Sequence, residues 1–66
     1  MIYVTFVSHY GAIRFRKKMQ ERGVRAELRP VPRFLSSSCG TCAVLDDSVD
    51  PADLPREDVE GVYPRP

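Results

Sequence analysis

Sixty-six residues carry ten Lys/Arg against nine Asp/Glu, with two cysteines and no tryptophan. A chain this short buries only about 60% of the surface that its unfolded form exposes. That excludes a separate catalytic domain and a deep enclosed pocket, and it makes a partner, a dimer interface or a metal a useful contributor to stability.

Met1–Val7 is β-branched and aromatic without a breaker, which predicts a buried central strand. Ser8 follows where a helix N-cap belongs. From His9 to Arg22, Ala12, Phe15 and Met19 recur at helical spacing with Ile13 beside them. Arg14, Arg16, Lys17, Lys18 and Glu21 fill the remainder, so the helix is amphipathic. Gly23 ends it as a C′ residue. Val24, Ala26 and Leu28 alternate with Arg25, Glu27 and Arg29 as a half-exposed strand, which Pro30 and Pro32 stop because neither donates an N–H. Phe34–Gly40 reads as a loop and Thr41–Leu45 as a third short strand. Residues 46–60 form an irregular acidic loop in which Leu54 and Val59 anchor at most a helical turn or two. Gly61-Val62-Tyr63 forms a final edge strand before Pro64 and Pro66.

The single domain, residues 1–66, is therefore α+β: a ferredoxin-like open-faced sandwich of order β-α-β-β(-β), its second helix reduced or missing. A strand-helix-strand unit within one sheet makes those two strands parallel. Both then end at one edge, where Ser8 and His9 leave the first strand, Arg33 to Gly40 leave the second, and the helix N-terminus points. Cys39 is expected there, near His9 and Arg33, and each of these neighbours favours a thiolate. One helix covers one face of the sheet. The other would expose Tyr3, Val7 and Val44 unless Leu54, Val59, Val62 and Tyr63 from the tail, or a second copy of the chain, lie over it.

The run Ser36-Ser37-Ser38-Cys39-Gly40 places a thiol among hydroxyl donors and a glycine that lets a backbone N–H approach closely. That setting argues against a buried structural cysteine. Cys42 completes a C-x-x-C, but a strand follows where the thioredoxin-like motif would open a helix. Cys42 therefore reads first as packing, and second as a resolving thiol that forms a disulfide with Cys39. Cys39, Cys42 and His9 supply only three of the four ligands that structural zinc requires, so no metal is assigned. Nothing forms a phosphate loop, a hydrolytic triad or a paired-carboxylate site.

From Pro30 to Gly40 the sequence resembles the small bacterial and archaeal Se/S carrier-like proteins. The shared elements are an opening strand (Ile2–Val7), Ser8-His9, a helix (Tyr10–Arg22), a Pro-x-Pro-Arg stretch (Pro30–Arg33) and Ser37-Ser38-Cys39-Gly40. The resemblance spans roughly residues 2–45. It implies a chalcogen carrier that holds sulfur or selenium on Cys39, with Ser37, Ser38, Gly40, Arg33 and His9 in support. It departs after the third strand, where relatives have a second helix and this chain has a proline-broken acidic stretch.

The expected function is thus sulfur or selenium transfer, as a persulfide or selenosulfide on Cys39, without a resident cofactor and without enzymatic turnover. Its partners would be donor and acceptor proteins, with a homodimer as a further option. The alternatives are a thiol-disulfide or metal-binding module using Cys39 and Cys42, and a non-catalytic interaction module whose basic helix docks on an acidic partner. Charge is lopsided: residues 1–33 carry a net +6 and residues 34–66 a net −5. No helix-turn-helix or aromatic-basic platform accompanies the basic half, so nucleic acid is not the expected partner. Met1–Val7 lacks a basic n-region and is too short to cross a membrane, so a reducing cytoplasmic location with free thiols is expected.

Overall fold

The computed structural model describes residues 1–65. The sequence-predicted stop at Pro66 lies outside the described residues. Its elements are β1 (Ile2–Phe6), α1 (His9–Glu21), β2 (Ala26–Pro30), β3 (Thr41–Leu45), a single 3₁₀ turn (Pro51–Asp53) and β4 (Val59–Pro64). The strands form one sheet in the order β2-β3-β1-β4. Both β1 and β2 run antiparallel to β3, so they are parallel to each other with β3 between them. The architecture is the α+β, ferredoxin-like arrangement expected from the sequence.

The helix termini follow from local chemistry. Ser8 has extended backbone angles, and its Oγ accepts the Gly11 N–H at 3.1 Å, satisfying one orphan donor of the first turn. At the other end, Gly23 N–H bonds to the Gln20 carbonyl at 3.0 Å and Val24 N–H to the Met19 carbonyl at 2.8 Å. This is a Schellman closure with Gly23 at C′. Ala12, Phe15 and Met19 project from α1 onto Ile2, Val4 and Phe6 of β1 and Ala43 and Leu45 of β3, all buried. The Phe6 and Phe15 rings meet edge-on, 5.2 Å between centroids.

The last strand, expected over residues 61–63, starts at Val59 and takes in Pro64, and Val24 lies outside β2. Two further expectations need correction. Pro30 does not stop β2 but forms its last rung opposite Thr41, where the missing N–H costs only a terminal bond. The acidic tail does not cover the far face of the sheet. Leu54 is buried in the helix-side core, where a second helix would otherwise sit, and Val59 and Val62 of β4 pack against that core from the sheet. The far face is covered in part by other means. Cross-strand register puts Glu27, Val44, Tyr3 and Tyr63 in one row and Arg29, Cys42, Thr5 and Gly61 in the next. Phe34 stands edge-on to Tyr3 at 5.2 Å, Glu27 and Arg29 pair at 3.0 Å, and Val44, Cys42 and Thr5 are buried. The outer side chains of this cover, Phe34 and Tyr63, stay exposed, so the strip is narrowed from within rather than sealed.

Part of the charge asymmetry is paired inside the molecule. Lys18 meets Glu57 at 2.9 Å, Arg14 pairs with Asp58 and lies 3.7 Å from Glu57, and Arg22 donates to the Asp53 carbonyl at 2.8 Å. Gly11 makes this approach sterically possible, since a Cβ there would fall 2.6 Å from the Asp58 Cβ. The basic helix docks on its own chain's acids.

Candidate functional site

The end of β1, the start of α1 and the start of β3 meet at one edge, bridged by the loop 31–40. Val31 N–H bonds to the Gly40 carbonyl at 3.1 Å and closes the loop's base. Gly40 takes φ +73°, the left-handed region that glycine enters without a Cβ penalty, and turns the chain into β3. A turn closed by Leu35 N–H to the Pro32 carbonyl at 3.0 Å throws Phe34 onto Tyr3, and the Arg65 guanidinium lies 4.3 Å over the Phe34 ring. Farther along, Ser37 Oγ–H donates to the Phe6 carbonyl at 3.1 Å. Ser38 donates twice to Glu60, from its N–H at 3.1 Å and from its hydroxyl at 2.6 Å. The loop is thus fastened at Phe34, Ser37 and Ser38.

Cys39 sits just beyond these ties, half-buried against the helix-side core. Its N–H donates to Ser37 Oγ at 3.3 Å, its Sγ–H faces the Thr41 carbonyl at 3.4 Å, and Ser37 Oγ stands 3.6 Å from the sulfur. A hydroxyl has one proton to give. While the thiol holds its hydrogen, Ser37 can donate to Phe6. Once the sulfur is anionic, the same hydroxyl can rotate to donate to it. The sulfur thus has a reserve donor beside it without a buried charge in waiting.

Of the supporting residues read from the sequence, His9 and Ser37 reach this edge. His9 Nδ1 lies 3.1 Å from Thr41 Oγ1, on the residue whose carbonyl faces Cys39. Ser38 faces Glu60 and does not contribute its hydroxyl to the sulfur. Arg33 is exposed, and no hydrogen bond or ion pair among the described residues ties it to Cys39. The sequence reading missed Thr41 and Glu60. Thr41 looked like an ordinary strand opener, and Glu60 one acid among many; neither carried a local signal.

Cys42 is a different thiol. It is fully buried on the far face, its sulfur 3.8 Å from the Pro30 carbonyl, and burial pushes its pKa up despite the nearby Arg29. The two sulfurs of the C-x-x-C therefore serve different faces: Cys39 packs on the helix side, whereas Cys42 shares a row with Thr5. Among the described residues, no cluster of three or more His, Cys, Asp or Glu side chains is arranged to hold a metal. A cleft of about 480 Å³ beside the C-terminal end of α1 is lined by residues such as Met19, Arg22 and Asp50 and contains neither cysteine nor histidine.

Fold and site together define a small α+β domain that presents one accessible thiol on a hydroxyl-rich loop at a sheet edge. A protein-family model described as "Putative Se/S carrier protein-like" matches residues 1–54. The chain belongs to that family. No curated protein and no solved structure gave a match. No helix among the described residues is long and apolar enough to cross a membrane.

Proposed function

We propose that the protein carries sulfur or selenium between a donor and an acceptor protein, held on Cys39 as a persulfide or selenosulfide. The observation that carries this reading is the contrast between the two thiols. Cys39 is accessible at a loop edge with a hydroxyl 3.6 Å from its sulfur, whereas Cys42 is sealed in the far face.

Loading is a sulfur transfer without net oxidation. The Cys39 thiolate attacks the outer chalcogen of a donor persulfide or selenosulfide, R–S–S⁻ or R–S–Se⁻. A new bond forms from Cys39 Sγ to that atom, the donor's own bond breaks, and R–S⁻ leaves with the electron pair. Delivery repeats the step with an acceptor nucleophile, and Cys39 departs as thiolate. No resolving cysteine within the chain is required, which fits the burial of Cys42. Ser37 supports the anionic outer atom by hydrogen bonding, and His9 holds Thr41 beside the sulfur.

Intact-mass analysis after incubation with a small persulfide donor tests this reading. One added sulfur is expected on the wild type and on Cys42→Ala, and none on Cys39→Ser. Loading that persists in Cys39→Ser would assign the chemistry elsewhere.

A further inference from the structure

We infer that Glu60 is a positioning residue for Cys39, a carboxylate clasp that holds the cysteine loop closed from a strand lying outside the family-matched residues 1–54. Three independent observations meet on it.

The first is backbone geometry. Pairing of β1 with β4 slips between Thr5 and Phe6: Thr5 faces Gly61 and Phe6 faces Val59, leaving Glu60 as the extra residue of a bulge. Bulges take one side chain out of the regular alternation and re-aim it. The second is what the side chain reaches. Both Glu60 oxygens are used by one residue, accepting the Ser38 N–H at 3.1 Å and the Ser38 hydroxyl at 2.6 Å. Charge-assisted bonds of this kind are the strong ones. The third is chain position. Ser38 is bracketed by Ser37, whose hydroxyl stands beside the Cys39 sulfur, and by Cys39 itself. Fixing Ser38 fixes both partners of that contact.

Among the described residues, no cation and no second carboxylate lines the cleft around the clasp. That cleft is lined by Ser36, Ser37, Ser38, Glu60 and Tyr63, and Tyr63 is the other titratable group among them. Donation from the Ser38 hydroxyl, then from its N–H, holds the Glu60 carboxyl below its ordinary value. The anion is therefore the clasping form.

The closed loop leaves Cys39 only part-exposed, and opening of the loop presents more of the sulfur to a reagent or a donor. Removing the clasp increases the open population, which raises access to the thiol and removes the ordered Ser37 donor. The effect on access stands on the structure alone. The effect on cargo rests on the carrier reading above.

The test uses the full chain. In Glu60→Ala, alkylation of Cys39 by iodoacetamide at neutral pH is expected to speed up about five- to tenfold, the factor that loss of one or two such bonds gives a local opening equilibrium. Glu60→Gln, which keeps an acceptor for the N–H, should fall between Glu60→Ala and the wild type. Amide signals of Ser38 and Cys39 should titrate with the Glu60 carboxyl in the wild type and lose that step in Glu60→Gln. Ser38→Ala, which removes only the hydroxyl, serves if Glu60→Ala does not fold. An unchanged alkylation rate in a folded variant, or a Ser38 amide titration that survives Glu60→Gln, overturns the clasp. A persulfide on Cys39 that decays faster in Glu60→Ala extends the clasp to the cargo. Faster alkylation together with failure of the wild type to load would leave the clasp standing and reject the carrier.

Discussion

On the helix side of the sheet, aliphatic and aromatic side chains interlock: Phe15 and Met19 from α1, Ile2, Val4 and Phe6 from β1, Leu45 from β3, and Leu54 from the tail. On the far side the inner residues are small or polar, Thr5 and Cys42 among them, and the cover consists of longer groups that touch at their ends. Phe34 stands on Tyr3, Arg65 covers Phe34, and Glu27 pairs with Arg29. The first face is held by area removed from water, which is non-directional and large. The second is held by specific contacts, individually weaker, and one of them, Phe34 on Tyr3, helps to fasten the loop carrying Cys39. Stability and loop geometry therefore reside on different faces and should respond to different substitutions.

The largest effect should come from the helix side. Phe15→Ala is expected to cost about 3–5 kcal/mol, against a total of the order of 3–10 kcal/mol for a chain of this length. Urea titration followed by circular dichroism should find this variant largely unfolded. A variant that retains most of its stability would mean that the helix-side core is not the main source of it.

Cys42→Ser comes next. It places a hydroxyl at a fully buried position whose nearest acceptor, the Pro30 carbonyl, is 3.8 Å from the present sulfur, and should cost about 1–3 kcal/mol. Because burial also pushes the Cys42 pKa up, alkylation of the native protein at neutral pH should modify Cys39 first and leave Cys42 untouched until unfolding. Equal modification of the two thiols in the folded protein would erase the distinction between the faces.

Phe34→Ala probes the far-face cover alone. Losing the edge-on pair with Tyr3 and the Arg65 contact should cost only about 1 kcal/mol. Amide exchange at Ser37 and Ser38 should nevertheless accelerate, while exchange in α1 should not. If both regions accelerate together, the loop and the core open as one unit.

The smallest effect belongs to the acids along the helix. Hydrogen bonding and charge from Lys18, then the charge of Arg14, hold the Glu57 carboxyl below its ordinary 4.5. The sign follows: a lowered folded-state value means that the contribution is complete above 4.5 and is lost as pH falls through the folded value. Glu57 is exposed, so the change in urea midpoint should be slight and should shrink with added salt. Glu57→Gln should flatten that acid limb. A large, salt-insensitive loss in Glu57→Gln would show a buried role that the exposed geometry does not contain.

The sequence by itself determined the elements whose causes are local. The helix from His9 carries its cap, its apolar stripe and its closing glycine within the run of residues itself, and β3 is legible as Thr41–Leu45 because it is short, apolar and bounded by breakers. The cysteine loop was legible as a loop for the same reason, since serines, a cysteine and a glycine in series between two strands favour neither helix nor strand. Tertiary structure alone decided which face each distant segment covers. The tail's Leu54 and the loop's Phe34 are both apolar residues in irregular stretches, and nothing near either one specifies the side of the sheet to which it returns. The slip in pairing that aims Glu60 at Ser38, 22 residues away, was equally hidden, because a bulge arises from the match between two strands and is written in neither.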